Sequence, residues 1–267
     1  MKQLSVSARR YLTYAPTGEE SIEANFRYQE LDLEIESAET VLILVDCWDH
    51  HYIDTHLSRA KEIVSTRLGP FTDFCRRAGI LVVHAPGLGV IGRYRDWMAN
   101  PEDWDQDAPE PDWPPDDFRN RTGPYSELTL WKSTPPMDAW SDYSSNRMGI
   151  MRELGPEPGD VAVADGDQLH ALLRDRRIMH LLYAGFATNW CVTDKNYGMR
   201  AMSTRGYNVV LLRDATTAIE THESYQDELM KENAILTAEM MTGFSSTCAG
   251  ILESNAKRTE APATVRA

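Results

Sequence analysis

Short apolar runs recur along the chain and are separated by longer, mixed segments. Five such runs are evident, at 41–45, 80–86, 161–164, 178–186 and 208–215. Their length and their content of valine, isoleucine and leucine are typical of strands that are buried on both faces of a sheet. The pattern therefore predicts about five strands, and the segments between the runs decide how the strands connect.

Helical spacing of apolar residues fills most of the gaps between these strands. Between the first two strands this spacing spans 60–78. Gly69-Pro70 interrupts it, because proline disrupts a helix interior, so either two helices abut there or one helix is kinked. Further helices are predicted at 167–176, from about 191, and at 224–241, followed by a short strand or helix at 244–252. Alternating strands and helices predict an α/β protein with a mostly parallel sheet.

Two segments depart from this alternation. Residues 1–40 are mainly polar, and weak alternation near their end predicts an arm that finishes in a short edge strand. Residues 88–158 form an excursion rich in acidic residues, proline and tryptophan, which is either a solvated surface loop or a lid or partner contact. We therefore predict a single domain over residues 1–253 and a disordered tail over 254–267.

Composition and charge exclude several classes of protein. The 267 residues carry a net charge of −14, and an acidic surface repels phosphate backbones, so a nucleic-acid partner is not expected. No run approaches the ~18 apolar residues of a membrane span, and the N-terminus lacks the apolar core of a signal peptide. We therefore expect a cytoplasmic protein with no membrane partner. Because no glycine-rich loop follows the first strand, a nucleotide cofactor is not expected either.

Four cysteines occur in the chain: Cys47, Cys75, Cys191 and Cys248. Their wide spacing, without a CxxC pair, excludes a cysteine-rich zinc site, and the chain length excludes a small disulfide scaffold. In a reducing compartment they are free thiols, which usually pack as small apolar side chains. A catalytic role for any one of them therefore has to be argued from its surroundings.

Polar residues follow the predicted strands, where a parallel sheet places its active site. They are Asp46, His84, Asp165, the segment 186–191 and Asp214. Cys191 begins a predicted helix, whose dipole and N–H groups are expected to lower the pKa of its thiol and to hold an oxyanion. Asp46 ends an apolar run, and desolvation is expected to raise its pKa and suit it to proton transfer. The two form either a nucleophile–base pair or, equally well, a packed cysteine and a capping aspartate.

Two segments resemble the isochorismatase-like cysteine hydrolases. VLILVDCWDHH (41–51) is similar to the first strand and catalytic aspartate of that family. LLYAGFATNWCVTDKNYGMRAMSTRGYNVVLLRDATTA (181–218) is similar to the region around its nucleophilic cysteine. The resemblance covers roughly residues 40–86 and 159–220. It implies a three-layer, doubly wound α/β fold, with a mostly parallel sheet of about five to six strands and helices on both faces.

The resemblance also implies roles for individual residues. Cys191 would be the nucleophile and Asp46 the general base. A cis peptide bond between Phe186 and Ala187 would aim backbone N–H groups at the oxyanion. Substrate contacts are expected from Trp48, Asn189 and Trp190.

The lysine of the family's Asp–Lys–Cys triad has no counterpart at its usual place. The third predicted strand reads VAVADGDQLH, with Ala164 or Asp165 at the expected position. Lys132, in LTLWKSTPP, is the nearest upstream lysine, and it either enters the site from the excursion or is a surface residue. Without Lys132, the thiolate would depend on the helix N-terminus, on Asp46 or on a histidine such as His170.

A metal site is not expected. Nicotinamidases of this family bind a metal after the second strand, where this chain has His84 alone. Asp54 and His56 follow the first strand instead, as do His50 and His51. Because a first-row metal needs about three convergent ligands, we interpret this segment as a solvated, histidine-rich turn.

These residues predict a cofactor-independent hydrolase that cleaves an amide, carbamoyl or ureido C–N bond of a small molecule through a thioester on Cys191. Two alternatives stay open. One is an isochorismatase-type vinyl ether hydrolase, which the presence of Cys191 disfavours. The other is a catalytically silent relative that binds a small ligand. The resemblance further implies a homodimer or a homotetramer.

Overall fold

An eight-stranded sheet forms the centre of the fold. The computed structural model describes residues 2–101, 113–128, 144 and 146–260, of which 258–260 by backbone alone. The strands are β1 (Gln3–Leu12), β2 (Arg27–Glu36), β3 (Thr40–Val45), β4 (Leu81–Ala85), β5 (Val161–Ala162), β6 (His180–Phe186), β7 (Asn208–Thr217) and β8 (Phe244–Ser246). Their order is β2-β1-β8-β7-β6-β3-β4-β5. Pairing is parallel from β8 to β5, whereas β1 is antiparallel to both of its neighbours.

The predicted α/β fold is confirmed, but the sheet is larger than the five to six strands expected. Residues 1–40 contain a hairpin of two ten-residue strands rather than an arm with one short strand. The hairpin joins the sheet where Arg9 of β1 pairs with Ser245 of β8. In β2, Leu31 and Leu33 alternate with charged residues and are only half-buried. This weak contrast is typical of an edge strand with little core contact.

Helices lie between the strands and after the last one. They are α1 (Asp54–Ile63), α2 (Gly69–Ala78), α3 (Leu88–Ile91), α4 (Asp116–Arg119), α5 (Gly166–Arg176), α6 (Met199–Thr204), α7 (Leu229–Met241) and α8 (Cys248–Glu260). A π-helical turn, Val64–Leu68, joins α1 to α2, so a wider turn precedes Pro70, which lacks an N–H group. Helix α8 includes residues 254–260, so the prediction that these are disordered is wrong. Residues 261–267 lie outside the described part of the chain.

Alternate residues of β3 face two separate cores. Leu42 and Leu44 pack with side chains of α1, α2 and α8. Val41, Ile43 and Val45 pack with side chains of α5, α6 and α7 on the opposite face. Each of these buried side chains contributes about 2 kcal/mol through removal of apolar surface from water. The sheet is therefore covered by helices on both faces, which confirms the predicted three-layer arrangement.

The described part of the excursion contains short helical segments and isolated β-bridges, among them Met98 with Ala162 and Ile150 with Trp48. Besides α3 and α4 the helical segments are 3-10 turns at Gly92–Trp97, Gly123–Leu128 and Arg152–Leu154. After it, the predicted run 161–164 contributes only two residues to the sheet, as β5. Among the described helices, none has the length and apolar character needed to cross a membrane.

Candidate active site

The ends of β3 and β6 lie side by side because a glycine permits their close approach. Val45 pairs with Gly185 in the parallel register. Gly185 has a φ of 119°, and a Cβ at this position would lie 2.0 Å from the carbonyl oxygen of Val45. Because only glycine satisfies both conditions, the residues that follow these two strands meet at the carboxyl edge of the sheet.

Asp46 follows β3 and is directed into the protein by its backbone. Its φ is 45°, its N–H donates to the carbonyl oxygen of Ala85 at 3.0 Å, and its side chain is buried. Gly87, two residues after β4, has a φ of 80°, and a Cβ there would lie 3.2 Å from Oδ1 of Asp46. The carboxylate is therefore enclosed by backbone on the side of β4.

Cys191 lies on a π-helical turn, Thr188–Val192, that follows β6. The peptide bond between Phe186 and Ala187 is cis, as the resemblance implied. The carbonyl oxygen of Ala187 accepts the N–H of Val192 at 3.1 Å. The N–H of Ala187 donates to the sulfur of Cys191 and so favours its thiolate form. The turn therefore supplies the thiol together with a hydrogen-bond donor for negative charge.

The carboxylate of Asp46 is poised to accept a proton. Burial raises its pKa to about 6, although the positive charge of Lys195 and hydrogen bonds from Cys191 and Tyr197 act in the opposite direction. The Tyr197 hydroxyl donates to Oδ1 at 3.4 Å. Among the described residues, Oδ2 is buried without a partner of regular hydrogen-bond geometry. Asp46 is thus ionised at neutral pH and retains an oxygen that can take up a proton.

The thiol of Cys191 is held in its neutral form, contrary to our expectation. Burial raises its pKa, and the negative charge of Asp46 raises it further. The charge of Lys195 and the Ala187 N–H lower it, but they do not outweigh these two effects. A short π-helical turn, rather than a long helix, follows the strand, so the expected helix dipole is weak. The resting pair is therefore a thiol beside a carboxylate.

Lys195 is the cation of this site, and we did not identify it from the sequence. It lines the same cavity as Asp46 and Cys191 and interacts electrostatically with both. Its Nζ lies 5.9 Å from the centre of the Tyr197 ring. The signal was its spacing of four residues from Cys191, which places two side chains on one face of a helical segment. Lys132, our candidate, lies outside the described residues.

A cavity of about 240 Å³ opens above Asp46 and Cys191. Its walls are mainly aromatic and apolar. The side chains that line it are Asp46, Trp48, His50, His51, Tyr52, His56, Leu57, Ala60, Phe186, Ala187, Trp190, Cys191, Lys195 and Ile219. It includes Trp48 and Trp190, two of the three residues that we expected to contact a substrate. The volume suits a small molecule rather than a polymer.

Asn189, the third expected substrate contact, has a structural role. Its side-chain NH₂ donates to the carbonyl oxygen of Ile219, and its Oδ1 accepts the N–H of the same residue, both at 3.0 Å. This reciprocal pair ties the turn that carries Cys191 to the segment after β7. Asn189 therefore holds the cavity wall in place, whereas Ile219 itself faces the cavity.

Our interpretation of the histidine-rich segment as a solvated turn is wrong for two of its residues. His56 is buried and His51 is half-buried, and both line the cavity. Burial lowers the pKa of each to about 4, so both rings are neutral at physiological pH. Within the described residues, no cluster of histidine, cysteine, aspartate and glutamate could hold a metal ion.

The other polar residues at strand ends have structural partners. Asp165 caps α5 by accepting the N–H groups of its first turn, and Asp214 accepts the N–H of Cys248 at the start of α8. His84 contacts a carboxylate oxygen of Asp160 at 3.1 Å. The suggested alternative partner of the thiol, His170, instead contacts the hydroxyl of Tyr207 at 2.8 Å.

Comparison with known proteins gives a relative that is similar in sequence and a solved structure that is similar in fold. Ureidoacrylate amidohydrolase RutB of Enterobacter sp. (strain 638) is 34% identical over 107 residues, which is 38% of this chain and 43% of the relative. The chain therefore spans less than half of that protein. A cysteine hydrolase from Pseudomonas syringae pv. phaseolicola 1448A has the same fold, with a TM-score of 0.55 at 16% identity over 84% of this chain and 95% of the other.

The family assignment rests on the sequence profile of the Isochorismatase domain. This profile matches residues 40–243, from the start of β3 to the residue before β8. The matched region contains Asp46, Cys191 and Lys195 and excludes the N-terminal hairpin. Because the match covers well over half of the chain, this protein belongs to the Isochorismatase family.

Proposed function

We propose that this protein is a hydrolase that cleaves the C–N bond of a small amide or ureido compound through a thioester on Cys191. The observation that carries the proposal is the placement of the Cys191 thiol beside the Asp46 carboxylate in one cavity, with Lys195 nearby. The names of the two similar proteins, an amidohydrolase and a cysteine hydrolase, support the same chemistry.

In the first half of the reaction, Asp46 takes the proton from the thiol as the sulfur attacks the substrate carbonyl carbon. A C–S bond forms, and negative charge develops on the carbonyl oxygen. The N–H of Ala187, which donates to the sulfur before the reaction, can donate to this oxygen once the C–S bond has formed. Asp46 then returns the proton to the nitrogen, the C–N bond breaks, and ammonia or an amine leaves.

In the second half, water replaces the leaving group. Asp46, ionised again, takes a proton from this water as its oxygen attacks the thioester carbon. A C–O bond forms, the C–S bond breaks, and the proton passes to the sulfur, which restores the thiol. We propose that Lys195 stabilises the charge that moves between Asp46 and Cys191 during both steps.

Hydrolysis of a panel of small carboxamides and ureido compounds, followed by ammonia release, tests this proposal. We expect turnover by the wild type and by Cys75→Ala, a matched control at a buried cysteine of α2. Cys191→Ala should have no turnover. Added hydroxylamine should trap the acyl group as a hydroxamate with the wild type and with Cys75→Ala, but not with Cys191→Ala, because the acyl group is transferred from the thioester on Cys191.

The reactivity of Cys191 distinguishes an active enzyme from a silent relative. Asp46 acts as the base for this thiol, so its alkylation by iodoacetamide should increase through pH 6, well below the range of a free thiol. Retained turnover in Cys191→Ala would contradict the assignment of Cys191 as the nucleophile. Absence of turnover on every compound, with alkylation no faster than that of free cysteine, would instead support the silent relative.

A further inference from the structure

One wall of the cavity is built from flat rings that stack on one another. The ring planes of Trp48 and His51 are inclined by 19°, and their centroids are 6.3 Å apart. The ring planes of His51 and Tyr52 are inclined by 21°, and their centroids are 4.6 Å apart. Phe186 and Trp190 add two further aromatic side chains to the lining. Aromatic walls of this kind favour ligands with flat, apolar bodies.

Two of the three histidines in the lining, His51 and His56, provide polarity without charge. The Nδ1 of His51 accepts the N–H of Ile53 at 3.0 Å, so the proton of the neutral ring lies on Nε2. The Nδ1 of His56 lies 3.1 Å from the carbonyl oxygen of Ala218, so here Nδ1 carries the proton and Nε2 is an acceptor. The ring centres are 4.8 Å apart. Neither ring can therefore offset the charge of an anionic ligand at neutral pH.

Two charged side chains of the described lining lie at the reacting end of the cavity, whereas the ring of His50, also in the lining, contacts the Asp49 carboxylate at 2.7 Å. The two charged side chains are Asp46 and Lys195, which interact with each other and with Cys191. By sequence, the segments 102–112 and 129–143 are acidic and contain a single basic residue, Lys132. Among the lining residues that the structure describes, a substrate carboxylate placed far from the reacting carbonyl would thus meet no lysine or arginine, and His50 already contacts Asp49.

We propose that this cavity selects uncharged carboxamides with flat, apolar bodies and discriminates against amides that carry a carboxylate. The inference rests on the proposed function, since it names the substrate class of that same site. Its physical basis is the cost of removing an unpaired carboxylate from water, which a neutral aromatic wall does not offset.

Three amides that differ in charge and in aromatic character test this selection through their values of kcat/KM. Succinamide and succinamate have nearly the same size, but only succinamate carries a carboxylate, and benzamide has a flat aromatic body. We expect succinamide to exceed succinamate by about tenfold or more, because the carboxylate loses its hydration, and benzamide to exceed succinamide. Equal or better hydrolysis of succinamate would overturn the inference while leaving the proposed function intact.

A cation introduced into the wall should reverse the discrimination. Ile219→Arg places a guanidinium at the cavity, and Ile219→Gln is a matched polar control without charge. The ratio of kcat/KM for succinamate to kcat/KM for succinamide should increase about tenfold in the arginine variant, since the substrate carboxylate gains an ion-pair partner. The same ratio should stay unchanged in the glutamine variant. A preference for succinamate that disappears in Lys132→Ala would show that Lys132 binds the carboxylate, which also contradicts the inference.

Alkylation of Cys191 separates failure of this inference from failure of the proposed function. Iodoacetamide and iodoacetate differ in charge, and their rates with free cysteine provide the reference ratio. We expect Cys191 to disfavour iodoacetate about tenfold beyond that reference, and Ile219→Arg, but not Ile219→Gln, to reduce this factor. These rates do not require turnover, so a reference-like ratio would overturn the inference even if no amide is hydrolysed.

Discussion

Two buried aspartates of the same sheet, Asp46 and Asp160, have opposite electrostatic environments. Asp46 is 2% exposed at the carboxyl end of β3, and Asp160 is 8% exposed just before β5. Burial acts to raise the pKa of both carboxyl groups. The pKa of Asp46 is in fact raised to about 6, whereas the pKa of Asp160 is lowered. The difference therefore comes from their neighbours.

Asp160 is surrounded by groups that stabilise its charge. Its Oδ2 accepts hydrogen bonds from Arg76 at 2.6 Å and from the N–H of Glu157 at 3.0 Å, and it contacts Nε2 of His84 at 3.1 Å. Asp46 has the Tyr197 hydroxyl at 3.4 Å and a thiol, with Lys195 acting by its charge. A buried carboxylate with a full set of partners holds structure together, whereas one with few partners can exchange a proton.

Substitution of Asp46 should have the largest effect and should separate activity from stability. Asp46→Asn removes the base, so we expect kcat/KM to decrease about a thousandfold. The pKa of Asp46 is raised from 3.8 to about 6, so the folded protein loses stability as the pH increases through this window. At pH 7 the asparagine variant should therefore be more stable by up to about 3 kcal/mol, since one pKa unit corresponds to 1.36 kcal/mol.

Urea unfolding at pH 7 and pH 4, together with the assay, measures both effects of Asp46→Asn. The stability gain should shrink at pH 4, where the wild-type carboxyl group is largely protonated in the folded state. A variant that is less stable than the wild type at pH 7, or that retains activity, would contradict the role given to Asp46.

The corresponding change at Asp160 should have the opposite outcome. Asp160→Asn removes the charge that pairs with Arg76, and we expect a loss of about 2–3 kcal/mol in the free energy of unfolding. The loss stays below that of a fully buried pair because Glu157 and Asp73 also contact Arg76. Since the pKa of Asp160 is lowered, this stabilisation is present above pH 4 and decreases at lower pH.

Activity per folded molecule should be unchanged in Asp160→Asn, because Asp160 lies outside the cavity that contains Cys191. The matched control is Glu157→Gln, at an exposed partner of the same Arg76, which should change stability by less than about 1 kcal/mol. A loss of activity in Asp160→Asn without a loss of stability would remove the distinction between the two aspartates.

The central strands of the fold follow directly from the sequence, whereas the lengths of the edge strands do not. A strand buried on both faces, such as β3, is continuously apolar and easily recognised. Strand β2 has only Ile35 buried, so its alternation is weak, and β5 pairs over only two residues of the predicted run 161–164. Their positions depend on pairing with β1 and β4, which is a property of tertiary structure.

The candidate site shows the same limit. The predicted pairing of Asp46 with Cys191 follows from the rule that parallel strands place their chemistry at one edge. Lys195 was missed, and His56 was interpreted as solvated, because their contribution depends on which face of a helical segment is directed at the cavity. Asp165 and Asn189 were candidates from their position in the chain, but their side chains bond to backbone groups of the turns that they stabilise. Residue type and position identify candidates, and only the contacts separate site residues from caps.

Substitution of Lys195 should have the smallest effect and tests the electrostatic environment of Asp46 most finely. The charge of Lys195 lowers the pKa of Asp46, so Lys195→Met should move the acidic limb of the kcat/KM profile from about pH 6 to higher pH. If the pKa of Asp46 increases by about one unit, its ionised fraction, and with it kcat/KM, should decrease about threefold near pH 6.5 and up to about tenfold well below pH 6, and this pH-dependent loss should disappear at higher pH.

The assignment of this limb to Asp46 can be checked against its neighbours. The neutral rings of His51 and His56 titrate near pH 4, and burial keeps the pKa of Tyr197 above its ordinary value, so none of them changes charge near pH 6. Lys195→Arg keeps the positive charge and should leave the limb in place. An equal loss of activity at every pH in Lys195→Met would mean that Lys195 acts on the charge of the transition state or on the shape of the cavity and does not set the pKa of Asp46.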